Sequence, residues 1–356
     1  MDYTPHRDGI VDTGVYHSTP PPETRLTVND AIYYYILNQE PEYSEATIRS
    51  HKSRLGIFAD FCEEYDVEYV DQIGGGLLTQ YRLNRSDEIN IVTLKTQLDT
   101  LRVFLRFCER IDELKKGIAD LVPTPEISDE ENSRDEYLSQ EQASGIAENL
   151  NKYDYASRDH AVFRLLWTTG MRRGALRALD VSDFDIKERY LQLRHRPETG
   201  TPLKNKHKSE RYIALDEKTC NILEDYITEN RPEVADDFGR YPLIATRQGR
   251  PHGQTIQTSA YAVTRPCKYN GGTCPHDYNT ESCEAARDKN KAYECPSSLS
   301  THPLRRGRIT ADLREGHPTA VISDRMDVSD DVITAHYDKM TRREQMEQRR
   351  KSLGLD

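Results

Sequence analysis

The chain has 356 residues, 36% of them hydrophobic and 31% charged, with a formal net charge of −11 and a pI near 5.6. Such a length points to two domains and at least one sizeable core. No apolar run is long enough to cross a bilayer, and Met1–His6 lack a basic start leading into an apolar stretch, so a membrane anchor and a secretory signal are not expected and cytoplasmic residence is. The acidic balance argues against indiscriminate polyanion binding, so contact with nucleic acid has to come from local Lys and Arg clusters. It also suits a salt-rich cytoplasm.

Residues 1–24 carry prolines and no apolar period, and read as a flexible arm. From Thr27 the pattern turns helical, with Ala31, Ile32, Tyr34, Tyr35 and Ile36 in a Tyr-rich segment over 27–38. Ser44 offers an N-cap to a helix over 45–64, with Ile48, Leu55, Phe58, Phe61 and Cys62 on its apolar positions. Gly74, Gly75 and Gly76 predict a break, followed by a short helix through Leu77, Leu78, Tyr81 and Leu83. Leu94, Leu98, Leu101, Leu105 and Cys108 then recur at helical spacing. This gives an all-α module over 25–120. Residues 121–136 include an acidic, proline-bearing stretch and read as a linker into a second domain over 137–356.

Ser139 and Gln142 form a capping-box signature at the start of that domain. An apolar helix over 156–168 ends near Trp167, and Thr169-Gly170-Met171-Arg172 turns into another helix with Ala175, Leu176 and Leu179. Strand-like segments at Tyr190–Arg194 and Arg211–Leu215 flank a basic hairpin, and a helix over 217–230 follows. The remainder reads as mainly helical, interrupted by a cysteine-rich stretch over 266–296.

Breaking a phosphodiester without a metal requires a nucleophile, cations for the charge on the nonbridging oxygens, and an acid for the departing 5′ oxygen. Arginine suits the second task, because its planar fork grips two phosphate oxygens and keeps its charge. Tyrosine suits the first if the product is a covalent DNA–protein bond. Only about one phenol in a thousand is ionised at neutral pH, so it needs a base or cationic help.

The residues occur in a recognisable order. Thr169-Gly170-Met171-Arg172-Arg173-Gly174-Ala175-Leu176-Arg177-Ala178-Leu179 is similar to the first arginine box of the tyrosine recombinase, or phage integrase, family, with its arginine on Arg172. His302-Pro303-Leu304-Arg305 resembles the His-x-x-Arg box, and Ala335-His336-Tyr337 the nucleophile segment. Lys204 to Leu215 resembles the hairpin with the catalytic lysine, best placed on Lys206, with Lys204 and Lys208 as close competitors. The resemblance spans roughly 25–350 and looks closest to an acidic haloarchaeal, hence archaeal, branch with a cysteine-rich insert.

It implies a mainly α protein: an N-terminal helical core-binding (SAM-like) domain that clamps DNA, and a C-terminal α+β catalytic domain with a small antiparallel sheet. Arg172 and Arg305 would hold the scissile phosphate of double-stranded DNA. Tyr337 would attack it to give a 3′-phosphotyrosyl link, Lys206 would protonate the 5′ oxygen, and His302 would assist proton transfer at Tyr337. The working form would be a DNA-assembled homotetramer, with no cofactor needed for catalysis. Such chemistry serves site-specific recombination: integration, excision or multimer resolution. Two alternatives are a catalytically silent DNA-binding regulator and a type IB topoisomerase-like relaxation of DNA. The chain departs from the pattern at Val328, where the family usually has His or Trp within a Leu-Gly-His box. Val cannot hydrogen-bond a phosphate, so Asp327 or His336 compensates or that role is absent.

Cys267, Cys274, Cys283 and Cys295 are spaced C-x6-C-x8-C-x11-C in a stretch too poor in apolar residues to build its own core. Four thiolates around one structural zinc would supply the missing stabilisation; unligated thiols and disulfides are the alternatives. Cys62, Cys108 and Cys220 sit in helical patterns and are expected to be small core residues.

Overall fold

The computed structural model describes residues 25–127, 136–338 and 340–355, without the side chains of Tyr337 and Asp338. The arm over 1–24 and residues 128–135 of the expected linker lie outside the described residues. The chain divides into two compact units, 1–134 and 135–356.

The first unit is helical. α1 (Val28–Gln39), α2 (Glu45–Glu64), α3 (Gly75–Ser86) and α4 (Ile91–Arg110) each begin where the sequence supplies a cap or a permissive residue. Thr27, Ser44 and Asn90 accept the backbone N–H of Asp30, Thr47 and Thr93, satisfying donors that a helix start leaves orphaned. The glycine triplet does not break the chain as predicted: Gly74 caps α3, and Gly75 and Gly76 form its first turn. Leu78 and the later α3 positions gain enough from burial to offset the poor helix propensity of two glycines. Tyr35, Phe58, Phe61, Tyr81 and Phe104 fill the core with edge-on ring contacts, and Cys62 and Cys108 are buried among them.

In the second unit, α5 (Gln140–Tyr153) starts at the expected capping box of Ser139 and Gln142. The central helix α6 (Arg158–Thr169) buries nine of its twelve residues, and α7 (Arg173–Ala178) follows it after a tight turn. The sheet is antiparallel, in the order β1 (Phe184–Asp185), β2 (Tyr190–Leu193), β3 (Arg211–Ala214), with Leu191 facing Ile213. β1, only two residues long, has too little alternation to be seen in the sequence. Then come α8 (Glu217–Asp225), α9 (Gly253–Thr264), the one-turn helices α10 (Pro266–Tyr269) and α11 (Glu284–Arg287), and α12 (Thr301–Glu315). α13 (Thr319–Met326), α14 (Asp330–Asp338) and α15 (Arg342–Ser352) complete the unit.

The main core gathers around α6, with Phe163, Leu166, Trp167, Leu176, Leu191 and Ile213. A second, smaller core of Ile309, Leu313, Ile322, Met326, Val328, Ile333 and Met340 holds the last helices against α12. Cys220 is buried in the main core. The mainly helical architecture with one small antiparallel sheet is the fold class the sequence implies. Among the described residues no helix is long and apolar enough to cross a membrane.

Candidate functional site

The site begins where α6 ends. Gly170 adopts a left-handed conformation, φ 61°, which reverses the chain and leaves Arg172 as the N-cap of α7. A side chain could not replace it, because a Cβ there would stand 2.6 Å from Sδ of Met326. The carbonyl of Gly170 accepts a hydrogen bond from Nη1 of Arg305 at 2.7 Å. Arg305 lies in the second turn of α12 and is almost fully buried; it also donates to the carbonyls of Met326, at 2.6 Å, and Asp327, at 3.1 Å. Burial, then the neighbouring Arg172, pull its pKa down to about 10. It therefore stays charged at neutral pH, its donors held by backbone oxygens.

Arg172, the more exposed of the two, pairs through Nη1 with the carboxylate of Asp327. Two arginines from separate helices thus meet at one residue. Asp327 terminates α13 in the left-handed region, φ 53°, the conformation a glycine would normally supply. Its Oδ2 also accepts from Oγ of Ser209 at 2.7 Å, and its Oδ1 from Nδ2 of Asn205 at 2.9 Å. Burial alone would raise its pKa. The bonds from Ser209 and Asn205 and the charges of Arg172 and Arg211 outweigh that and hold the carboxyl below its ordinary range. Arg211, first residue of β3, ties the carbonyls of Arg325 and Ser209 at 2.8 Å each.

Asn205 and Ser209 bracket the turn that carries Lys206, so the basic hairpin is anchored beside the arginine pair. Lys204, Lys206 and Lys208 are all exposed there. Of the three, only Lys206 has a left-handed backbone, φ 55°. His302 sits in the first turn of α12, one helical turn before Arg305, and its ring reaches solvent. Partial desolvation, then Arg306, Arg305, Arg173 and Arg172, lower its pKa and favour the neutral ring.

Val328 points into the C-terminal core and is 7% exposed, so it presents no group to the site. Asp327, its chain neighbour, is the residue found between the arginines. Asp327 is legible in the sequence only as a neighbour of Val328. Asn205, Ser209 and Arg211 have no local signal of their own, since long-range contacts give them their roles. Tyr337 lies in α14 next to His336, whose Nδ1 is 3.3 Å from Oγ1 of Thr310 on α12. The Tyr337 side chain lies outside the described residues.

The cysteine-rich insert packs onto the second unit through Lys289, which pairs with Asp159 at 2.6 Å, and through Arg265, which donates to the carbonyl of Ala285. Its buried apolar residues are Ala285 and Ala292. All four cysteines are half-buried. Burial pushes the Cys267 thiol up against the pull of Arg265, and Cys295, Cys274 and Cys283 add to the rise, so the four share one neighbourhood. Among the described residues no three of these sulfurs come within 4.8 Å of one another, and the group that does is Asp312, Glu315 and His317. There Arg308 already pairs with both carboxylates.

Paired arginines beside an anchored lysine turn, on a mainly helical scaffold with a small antiparallel sheet, are the features of this site. A family profile described as the phage integrase family matches residues 136–344, and the chain belongs to that family, the tyrosine recombinases. It is 39% identical over 79 residues to y4rF of Sinorhizobium fredii (strain NBRC 101917 / NGR234), a protein named as an integrase/recombinase; the match covers 22% of this chain and only 16% of that relative. The fold is similar to that of the Tn1549 transposon integrase in complex with a circular intermediate DNA, with a TM-score of 0.65 and 14% identity over 93% of this chain and 100% of that one. It is also similar to a lambda integrase dimer bound to a COC′ core site, with a TM-score of 0.61 and 12% identity over 88% of this chain and 77% of that one.

Proposed function

We propose that the protein carries out site-specific recombination of double-stranded DNA through a 3′-phosphotyrosyl intermediate. The observation that carries this reading is the meeting of Arg172 and Arg305, from separate helices, at the single residue Asp327. In the reaction the Tyr337 oxygen bonds to phosphorus as the bond to the 5′ oxygen breaks. Arg172 and Arg305 neutralise the nonbridging oxygens. Lys206 gives its proton to the leaving oxygen; its strained backbone favours it over Lys204 and Lys208, since such strain collects at functional positions. His302, inclined to neutrality by partial burial and then by its cationic neighbours, takes the phenolic proton. The second strand then attacks the phosphotyrosine and restores the backbone, so no high-energy cofactor is consumed. The Tn1549 integrase is bound to a circular intermediate DNA and the lambda integrase dimer to a COC′ core site, which supports a DNA partner. A DNA-assembled homotetramer in the cytoplasm, joining two duplexes, completes the reading.

A nicked duplex that traps covalent intermediates tests it. Trapping by the native protein and its loss in Tyr337→Phe are expected. DNA binding without trapping would instead mark a silent regulator, and relaxation of any plasmid a topoisomerase-like activity. For the insert we propose one structural zinc bound by Cys267, Cys274, Cys283 and Cys295, the thiols closing around the ion on binding. The thin alanine core of the insert supports it. Purified protein should hold about one zinc per chain, in keeping with a closed four-thiolate site, and Cys283→Ser should lose it; metal-free protein with an unchanged melting curve would refute the site.

A further inference from the structure

Two of the seven described non-glycine residues with a left-handed backbone, Lys206 and Asp327, belong to one small constellation. Strain of this kind persists only where surrounding contacts over-determine it. At Asp327 those contacts are visible: one carboxylate takes bonds from Arg172, Ser209 and Asn205, drawn from α7 and from both ends of the lysine turn. Ser209 is buried, and its Oγ also accepts the backbone N–H of Asn205 at 3.2 Å, so the turn is closed on itself and then fastened to the carboxylate. Arg172 uses Nη1 for this bond, and a guanidinium has five N–H donors, so it can hold Asp327 and a phosphate together.

We propose that Asp327 is a positioning residue for proton donation to the leaving 5′ oxygen: it docks the Asn205–Ser209 turn and thereby sets Lys206 beside the arginine pair. This rests on the strand-transfer reading above. The step it serves breaks the bond from phosphorus to the 5′ oxygen, which leaves with the Lys206 proton, while the Tyr337 oxygen takes its place on phosphorus. Asp327 itself neither gains nor loses a proton. Arg172 would still carry charge without Asp327, whereas Asn205 and Ser209 would lose the carboxylate they share.

The test compares the full-length native protein with Asp327→Gly, which suits the left-handed backbone, and with Asn205→Ala, which leaves the Arg172 pair in place. Each is given a nicked duplex with either a normal 5′ bridging oxygen or a 5′ bridging sulfur at the cleaved bond. A thiolate leaves without a proton, so cleavage of the sulfur substrate does not need the lysine. With oxygen, Asp327→Gly should cleave about 100-fold more slowly, the low end of what a lost general acid costs. With sulfur, most of that loss should vanish. Amide hydrogen exchange over 205–209 in the DNA-free protein should speed up in both variants. Equal losses on the two substrates, or unchanged exchange in the turn, would overturn the proposal. If the native protein cleaves neither substrate, the recombinase reading fails, and the exchange measurement still decides whether Asp327 docks the turn.

Discussion

Arg305 and Arg172, proposed to share one phosphate, stand in different surroundings. Arg305 is sunk among three backbone carbonyls, which fix its fork but leave little freedom. Arg172 stands closer to solvent and leans on a carboxylate. A buried charge tied to backbone oxygens tolerates replacement poorly, because the partners are left unpaired whatever takes its place. His160 shows the same principle with a neutral ring. It is fully buried in α6, its Nδ1 accepts the N–H of Ala156 at 3.2 Å, and among the described residues its Nε2 has no hydrogen-bond partner. Burial, then Arg164 and Lys218, lower its pKa from 6.5 to about 4. Between those values the unfolded chain takes up a proton that the folded chain refuses, so stability declines as pH falls from 6.5 to 4 and levels off below. The effect is on the order of 2 kcal/mol between pH 7 and pH 5. Urea unfolding at the two pH values should show it, and His160→Leu, though less stable throughout, should lose that part of the pH dependence.

The pairing of helices depends on single small residues. α12 crosses α6 at Gly307, where a Cβ would lie 2.0 Å from the carbonyl oxygen of Leu138 and 3.0 Å from the ring of Trp167. Gly307→Ala has to push the helix outward, at a cost of about 1–3 kcal/mol. Thermal melting should register that loss, and DNA cleavage should fall as well, because Arg305 rides two residues away on the same helix. A variant that melts and cleaves like the native protein would show that α12 yields freely. Much at this scale is legible in the sequence. Ser44 and Ser139 announce their helices through capping, and the repeat from Leu94 to Cys108 announces α4, because these signals are local. The glycine triplet misleads because tertiary burial overrides propensity. β1, α10 and α11 are too short to show a period. At the site, Arg172, His302 and Arg305 are readable from their boxes. The carboxylate that binds the hairpin to them is not, since its partners Asn205 and Ser209 lie more than a hundred residues away along the chain.

For the whole molecule, a net charge of −11 has to coexist with the DNA partner proposed above. The two arginines differ here: Arg172 is paired with the Asp327 carboxylate, whereas Arg305 is held by neutral carbonyls and keeps its positive field. The proposed contact with DNA then rests on local positive groups such as Arg305 and the exposed Lys204, Lys206 and Lys208, not on the net charge. The two separate cores of the second unit carry a last consequence. α14, which bears Tyr337, rests on the seven-residue cluster and not on the main core around α6. A patch that small can come apart at a fraction of the free energy needed to melt the rest. Native-state exchange should find backbone amides over 330–352 opening well before those of α6. Opening of that cluster would loosen Arg305 as well as α14, because Met326, whose carbonyl holds Arg305, belongs to it and Asp327 stands between two of its members, so the arginine pair and the helix that bears Tyr337 depend on one small patch.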